Sequence, residues 1–284
     1  MRINRLQIEM GVARVALMLV CVAPMSVRAQ SLPEMELEQE GLAGKPQTGH
    51  WSAAVGAGLT SRPRYQGADS YRVRLVPLAL IRYDNLVLGP FGLGWMAIHQ
   101  GGFRAGPVLG YEGGRRESAD PHLYGLGDIS SSITGGVFAA YRFAPFEIAA
   151  TARQAITHRN NGLNGFVRFE YHVQVVPHPW DLRIGTHFDF ANAVYEQTRF
   201  GVSPLQSEQS GLPVFTPGGG LKDVGLRASL TYVSSEHLIL RLFADVNRFT
   251  ADTADSPIVL QRTQRFLGGG IAYHFCNSAS AVAD

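Results

Sequence analysis

The fold is indicated by one stretch, Phe166–Asn192, which reads FVRFEYHVQVVPHPWDLRIGTHFDFAN. In each half, apolar residues alternate with polar ones, and this period of two predicts a β-strand with one apolar and one polar face. The short PHPW break between the halves predicts a hairpin. Each predicted strand has about eleven residues, the length that a tilted strand needs to cross a bilayer.

The polar face of this hairpin combines arginine, glutamate, histidine and aspartate side chains. A water-filled or polar lumen tolerates such a face, whereas a packed apolar core does not. One hairpin is equally compatible with a soluble sandwich whose polar face meets solvent. Ten further segments with the same alternation favour a membrane barrel.

The composition of the whole chain is consistent with that prediction. The 284 residues include 32 glycines and 45% hydrophobic residues, with a mean hydropathy near zero. No uninterrupted apolar run reaches the roughly 18 residues that a transmembrane helix requires. The sequence therefore predicts an all-β protein, a transmembrane antiparallel β-barrel whose polar face dilutes its overall hydrophobicity.

The N-terminus is predicted to be a separate element. Residues 1–29 combine basic residues, a short apolar run and small residues before a plausible cleavage site, which is typical of a secretory signal peptide. Its removal takes away four arginines and one glutamate, so the net charge falls from +2 to −1. This balance argues against nucleic acid as a partner. Residues 30–49 are acidic and aperiodic, and are predicted to be a flexible periplasmic lead-in.

The number of strands follows from parity. The periodic segments are 50–60, 71–83, 103–112, 128–143, 146–156, 166–176, 180–192, 223–233, 237–249 and 262–275. Bacterial single-chain barrels have an even number of strands with short periplasmic turns and longer outer loops. That pattern holds if 85–99 contributes two strands, which gives about 12. A bulge is expected at Pro77, because proline cannot donate to a strand ladder.

Charged residues on the predicted polar faces are the candidate functional residues. The candidate lumen-lining set is Arg168, Glu170, His172, Asp181, Arg183, His187, Asp189, Arg227, Arg241 and Asp245, joined by Glu147 and Arg153. One interpretation is a selective constriction for small solutes. The other, which we favour, is a network of ion pairs that fills a narrow lumen.

Catalysis, metal binding and cofactor binding are not expected. His172 and His187 with Glu170 and Asp189 lack the compact spacing of a metal site. The sequence contains no Gly-x-Ser-x-Gly elbow, and serines that could act as nucleophiles are available by composition alone. We therefore expect no catalytic, cofactor-binding or metal-binding residues.

Several predicted loops carry a family resemblance. The stretches are RYQGADSYRVRLVPL (64–78), GRRESADPHLYGLGDI (114–129), YEQTRFGVSP (195–204), SGLPVFTPGGGLKDVGL (210–226) and ADSPIV (254–259). In this order they resemble the MipA/OmpV family of outer-membrane proteins. The resemblance extends from about Trp51 to Phe275, so the barrel is assigned to residues 50–275. Residues 276–284 form a C-terminal extension, and Phe275 is not the terminal aromatic residue typical of such barrels.

The resemblance implies a place in the cell more firmly than an activity. It implies a location in the outer membrane of a Gram-negative bacterium, in contact with its lipid. One family member is regarded as a scaffold that brings a murein lytic transglycosylase together with a bifunctional murein synthase, and others resemble porins or adhesins. A non-catalytic scaffold is therefore the favoured function, and a narrow channel or an environmental-response or adhesion protein is the alternative.

The longest predicted connection, Ala193–Lys222, bears on that choice. It contains the apolar residues Phe200, Leu205, Leu212 and Phe215, which gain free energy when they leave water. We expect it to fold against the barrel mouth and to restrict conduction.

Overall fold

A computed structural model of the chain describes residues 51–89, 92–173, 179–234 and 237–276. The predicted signal peptide and lead-in, the turn residue His178 and the extension after Cys276 lie outside these residues. The strands are β1 (Trp51–Pro63), β2 (Tyr71–Tyr83), β3 (Leu86–Gly89), β4 (Gly92–Trp95), β5 (Ile98–Gln100), β6 (Phe103–Glu112), β7 (Ser132–Phe143), β8 (Phe146–Ala155), β9 (Leu163–His172), β10 (Trp180–Ala191), β11 (Gly220–Ser234), β12 (Leu238–Phe249) and β13 (Thr263–Cys276).

These strands form one closed antiparallel sheet. Consecutive strands pair with each other, except β4 and β5, and β1 pairs with β13, from Ser52 opposite Cys276 to Ser61 opposite Leu267. β4 and β5 pair with successive parts of β6 and are separated only by residues 96–97. Together they form one interrupted strand that crosses the barrel wall from end to end once. The thirteen strands therefore make twelve such crossings. The predicted barrel and its strand number are confirmed.

The alternation read from the sequence sets the two faces of the wall. On β2, Val73 and Leu75 point outward and are 68% and 74% exposed, which in a membrane places them against lipid. On β9, Phe169 points outward, whereas Arg168 points inward and is buried. An apolar exterior around a polar interior is the arrangement expected of a membrane barrel.

Aromatic side chains form a belt around one end of the barrel. Trp180 packs against Tyr232 with ring centroids 4.5 Å apart, and Phe146 packs against Tyr171 at 5.3 Å. Trp51 is directly opposite Tyr83 in the ladder at the same end. Amphipathic rings at this level match a membrane–water interface. We call this end, where Trp51 and Phe275 lie, the turn end.

The opposite, or loop, end carries the long connections and all the helices of the described chain. The helices are α1 (Ala193–Phe200), α2 (Pro204–Ser210) and α3 (Ala251–Asp255). Three single 3-10 turns lie at Glu117–Ala119, Pro121–Leu123 and Arg159–Asn161. Within the described ranges, no helix combines the length and apolar character needed to traverse a bilayer.

Two local expectations were wrong. β1 and β2 pair without a register shift through Pro77, which stands opposite Ala57. β2 pairs with β3 only from Ile81 to Tyr83, so Pro77 lies outside the part of β2 that pairs on both edges, where proline is tolerated. The segment predicted as 128–143 becomes a regular strand only at Ser132, because Ile129 pairs instead with Arg115 in an isolated bridge.

Candidate functional site

The candidate site is the barrel lumen, which neighbouring strands line with charge. Strand alternation aims Asp181, Arg183, His187 and Asp189 of β10 inward, beside Arg168, Glu170 and His172 of β9. Arg227 of β11 and Asp245 of β12 face each other across their ladder on the same inner surface. Arg241 of β12 stands opposite Thr231, and Arg153 of β8 opposite Asn164.

Near the turn end, the charged groups form short ion pairs. Arg183 donates from Nε and Nη2 to Asp181 Oδ2 at 2.8 and 2.7 Å, and His172 Nδ1 lies 3.9 Å from Asp181 Oδ1. Both contacts stay within the β9–β10 hairpin. The Asp181 side chain is 39% exposed, so water weakens the attraction within this pair.

Glu147 of β8 lies at the centre of a second group. Its carboxylate accepts from Arg104 Nη2 at 3.0 Å and lies 3.4 Å from Arg142 Nε. Arg104 and Glu147 are both almost fully buried. Arg168 Nη1 contacts Glu170 Oε1 at 3.4 Å, and its guanidinium lies 5.0 Å from the ring centroid of Phe166. Charge in this part of the lumen is therefore neutralised both within one strand, at Arg168 and Glu170, and between strands, at Arg104 and Glu147.

A third group, around His187, joins three strands. The ring lies 2.5 Å from Asp189 Oδ2 through Nδ1 and 3.2 Å from Asp245 Oδ2 through Nε2. Arg227 Nη2 is also 3.2 Å from Asp245 Oδ2. The Nδ1 contact with Asp189 is a hydrogen bond. Nε2 lies close to the Asp245 carboxylate but does not form a hydrogen bond with it.

The same group contains the donor set that comes nearest to a metal site. His187, Asp189 and Asp223 each place a possible ligand atom within 4.8 Å of the others, and all three are buried. The set differs from the one considered from sequence, because His172 and Glu170 are not part of it. Lys222 Nζ lies 3.1 Å from Asp223 Oδ2 and already supplies positive charge. This geometry fits an ion-pair cluster better than a site built for a cation.

Sequence reasoning missed Lys222 and Asp223 as a buried pair. Asp189 pairs with Asp223, but the next residue, Phe190, pairs with Leu221, so the ladder skips Lys222. Such a bulge interrupts the alternation of side chains between the two faces, so that the consecutive residues Lys222 and Asp223 are both buried. Lys222 also lies 6.0 Å from the ring centroid of Tyr195, which brings α1 into the same cluster.

Helix α1 caps this lumen at the loop end. Asn192 is its N-cap and accepts a hydrogen bond from the backbone N–H of Tyr195 at 2.9 Å. Tyr195 and Phe200 are fully buried in a cluster with Ala191 and Phe249. Arg199 reaches Glu112 Oε1 at 2.8 Å and donates to the carbonyl of Gly113 at 3.0 Å. The helix is thus attached to β6 by a buried ion pair.

A second apolar cluster joins the remaining loops above the mouth. Tyr65, Leu123, Val202 and Ile258 are each fully buried in it, and Leu212 and Phe215 pack against them. Tyr65 Oη donates to the carbonyl of Ile258 at 3.1 Å. The connection Ala193–Lys222 therefore lies across the mouth, as expected for Phe200, Leu212 and Phe215. Leu205 is 62% exposed and takes no part in this packing.

One carboxyl group in the loops that cover the mouth, that of Glu196, has a shifted pKa. Glu196 of α1 is 2% exposed, and its Oε2 accepts from Thr253 Oγ1 of α3 at 2.8 Å. Burial raises the pKa of this carboxyl to about 7. The hydrogen bond from Thr253 and the charge of Lys222 lower the pKa, whereas the charges of Asp223 and Asp252 raise it further. The side chain therefore titrates near neutral pH, within the contact that joins α1 to α3.

A closed twelve-crossing barrel with an apolar exterior, an aromatic belt and a charged interior defines the class: this is an outer-membrane β-barrel protein. The family described as MltA-interacting protein MipA matches residues 55–275, which is most of the chain. The chain belongs to the MipA family.

The chain also has similarities to solved structures of outer-membrane proteins. The chain is similar to OprB of Pseudomonas putida at 13% identity and a TM-score of 0.37, over 71% of this chain and 56% of that one. It is similar to OmpT of Vibrio cholerae at 8% identity and a TM-score of 0.36, over 79% and 97% of the two chains. It spans little more than half the length of the OprB chain. No curated protein matches it.

Proposed function

We propose that this protein is a non-catalytic outer-membrane scaffold that holds murein-remodelling enzymes together at the periplasmic side. The single observation that carries the proposal is the family match, whose description names an interaction with MltA. The favoured partners are a periplasmic murein lytic transglycosylase and a bifunctional murein synthase. The turn end, with its short connections, is the surface that would face them.

Features of the lumen favour a scaffold function rather than an open channel. Its charged side chains form close pairs such as Arg104–Glu147 and Arg227–Asp245. At the loop end, α1 and the cluster around Tyr65 lie across the mouth. A channel needs a continuous polar path with sites that ions can both enter and leave. Here the charged side chains of these pairs neutralise one another.

The absence of catalytic chemistry is part of the same proposal. His187 is buried in the lumen, and the carboxylates of Asp189 and Asp245 flank its ring. A general base must lie within reach of the proton that it removes, and these carboxylates occupy the space beside both ring nitrogens. A hydrolase assay of the purified barrel on murein is expected to show no turnover.

The test is capture from solubilised envelopes with the affinity-tagged full-length protein. We expect a murein lytic transglycosylase and a murein synthase to be retained together. A matched control carries the deletion of residues 207–217 at the loop end, which should leave retention unchanged because partner binding is assigned to the turn end. Failure to retain either enzyme, or loss of retention in the control, would overturn the proposal.

A further inference from the structure

The outer face of the barrel wall carries very little charge. Along the described strands, only two outward-facing positions hold an aspartate, glutamate, lysine or arginine, and these are Arg248 of β12 and Arg265 of β13. Both residues are exposed. The outward-facing residues nearer the middle of the same strands, Leu242, Val246 and Leu267, are apolar and also exposed. The strands thus direct two fixed positive charges toward the surroundings of the barrel, directly beside an apolar surface.

The register of the sheet brings the two arginines together. Arg248 is opposite Thr263, and Arg265 is opposite Val246, so the arginines are diagonal neighbours on one face of the β12–β13 ladder. Such neighbours lie about 7–8 Å apart, within reach of long side chains. Arg248 Nη1 donates to Thr263 Oγ1 at 3.4 Å, which directs this guanidinium toward β13. Among the described residues, no carboxylate forms an ion pair with either guanidinium.

The level of the two arginines on the barrel corresponds to the outer boundary of the membrane. Arg265 lies eight residues from Tyr273 along β13, and Arg248 lies eight residues from Leu240 along β12. Leu240 is opposite Tyr232 of the aromatic belt at the turn end. Eight residues of a strand tilted by about 40° rise about 20 Å, and the apolar band of such a barrel is about 25 Å tall. A long arginine side chain at this height reaches the headgroup region.

These surroundings fit a lipid with a phosphorylated headgroup. A guanidinium binds phosphate through two parallel N–H···O hydrogen bonds, and two adjacent guanidinium groups can share one phosphate. The backbone N–H of Arg265 donates to Tyr71 Oη at 3.2 Å, so a phenol hydroxyl also lies beside the pair. Val246 and Leu267 offer acyl chains an apolar surface next to the charges. A soluble anion would use only the polar half of this surface.

We propose that a phosphorylated lipid of the outer leaflet binds to the outer face of β12 and β13, with a phosphate between Arg248 and Arg265 and acyl chains on Val246 and Leu267. We call these four residues the lipid-phosphate site. The site lies at the boundary opposite the turn end, to which the murein-remodelling enzymes are assigned. Lipid binding is therefore independent of the proposed scaffold function.

The test is a titration of the full-length protein, in nanodiscs of phosphatidylcholine, with the diphosphorylated glycolipid lipid A. Because each basic residue near a membrane surface strengthens the binding of anionic lipid by a factor of about five, Arg248→Gln or Arg265→Gln should weaken binding roughly fivefold. The two substitutions together should weaken it roughly thirtyfold. The matched control is Arg159→Gln, which removes the same charge from an exposed 3-10 turn at the loop end and should leave binding unchanged.

The heat-dependent gel shift shows that each variant is folded before its affinity is measured. Wild-type affinity in the folded double variant would overturn the proposal. A loss in Arg159→Gln as large as in the double variant would do the same, because it would assign binding to the overall charge of the loop end.

Two further ligands separate a lipid from a free anion. Lipid A without its phosphates should bind the wild-type protein as weakly as lipid A binds the double variant. Inorganic phosphate should displace lipid A at least tenfold less effectively than unlabelled lipid A does, because roughly 0.8 kcal/mol of each buried acyl CH₂ is missing. Equal displacement by inorganic phosphate would identify an anion site without a lipid and contradict the proposal.

The position of the bound lipid is read by phosphorus NMR. In a background with Cys21→Ser and Cys276→Ser, a nitroxide is attached at Leu242→Cys, an outward position of β12. The matched control carries the nitroxide at Val137→Cys on β7, which is 61% exposed against 62% for Leu242 and lies across the ring. We expect the phosphorus signal of bound lipid A to broaden only with the first label. Equal broadening by the two labels would show lipid distributed around the barrel and would rule out the site.

Discussion

The imidazole of His187 lies directly over Gly225 of the neighbouring strand, so that a Cβ at position 225 would fall 2.0 Å from Nε2. The ring cannot move away easily, because Asp189 and Asp245 hold it from both sides. Gly225 is therefore required by the ion-pair cluster rather than by backbone conformation. A side chain at this position and His187 in its present place are incompatible.

Gly225→Ala should therefore lower the amount of folded barrel, measured by the heat-dependent gel shift that a closed hydrogen-bonded sheet gives. The loss should be about 1–3 kcal/mol, typical of overpacking. In a His187→Ala background the same substitution should cost much less, which a double-mutant cycle measures. Gly218→Ala, whose Cβ would meet only the exposed Asp252 carboxylate at 3.2 Å, is the control. Additive effects would contradict the contact.

The direction in which each strand side chain points, toward lipid or toward the lumen, predicts where a charge is tolerated. Leu240 and Ile184 point outward, and arginine at either position should impair insertion. A charge against lipid costs about 2–4 kcal/mol at mid-depth and less near the interfaces, so the effect should be smaller at Leu240, which pairs with Tyr232 of the aromatic belt. Ile239→Arg points inward and should be milder. Gly185 is unsuitable as the inward control, because its Cβ would meet the carbonyl oxygen of Phe169 at 2.5 Å. Equal folded yields for Leu240→Arg and Ile239→Arg would show that the register is wrong.

Glu147 should be sensitive to loss of its charge. Glu147→Gln leaves Arg104 and Arg142 beside a neutral amide, and removing one partner from a buried pair costs about 3–5 kcal/mol. The measurement is urea-induced unfolding of the barrel in lipid vesicles. Asp255→Asn breaks the exposed pair with Arg262, at 2.8 Å, and should cost less than about 1 kcal/mol. Similar costs for the two variants would rule out a buried network.

The loop closure should loosen as pH rises. Glu196 has a folded pKa of about 7 against 4.5 for the free side chain, so the folded state retains a proton that the unfolded state loses. Stability is therefore unaffected below about pH 4.5 and falls between pH 4.5 and 7, by about 1–3 kcal/mol. Hydrogen exchange of α1 should be faster, after correction for intrinsic rates, at pH 8 than at pH 5. Glu196→Gln should remove the difference; its persistence would assign the effect elsewhere.

The intact protein should conduct poorly in planar bilayers. Deletion of residues 207–217 removes Leu212 and Phe215 from the cluster above the mouth and should raise the conductance. The rise should be larger when Arg199→Ala also detaches α1 from Glu112. Large, steady single-channel currents from the intact protein would favour the porin alternative.

The sequence predicted the wall well, because a period of two is a local property of a strand. The faces of β9 and β10 follow directly from alternation, and the polar residues on them were identified. The partner of each charge was not predicted, since pairing depends on register between strands. Lys222 and Asp223 are an example. The ladder between β10 and β11 skips Lys222, because Phe190 pairs with Leu221, and the local sequence pattern does not predict this bulge. The contact of Tyr65 with Ile258, far apart in sequence, was equally invisible.

The pairing of β1 with β13 has a consequence for how this chain folds. The wall closes through contacts between the residues most distant in sequence, which gives the barrel a high contact order. Every partly assembled sheet consequently has two unpaired edges, and such edges recruit other strands. A chain with this topology is exposed to aggregation until its last strand has been added, so it depends on being held apart from its neighbours on the way to the membrane.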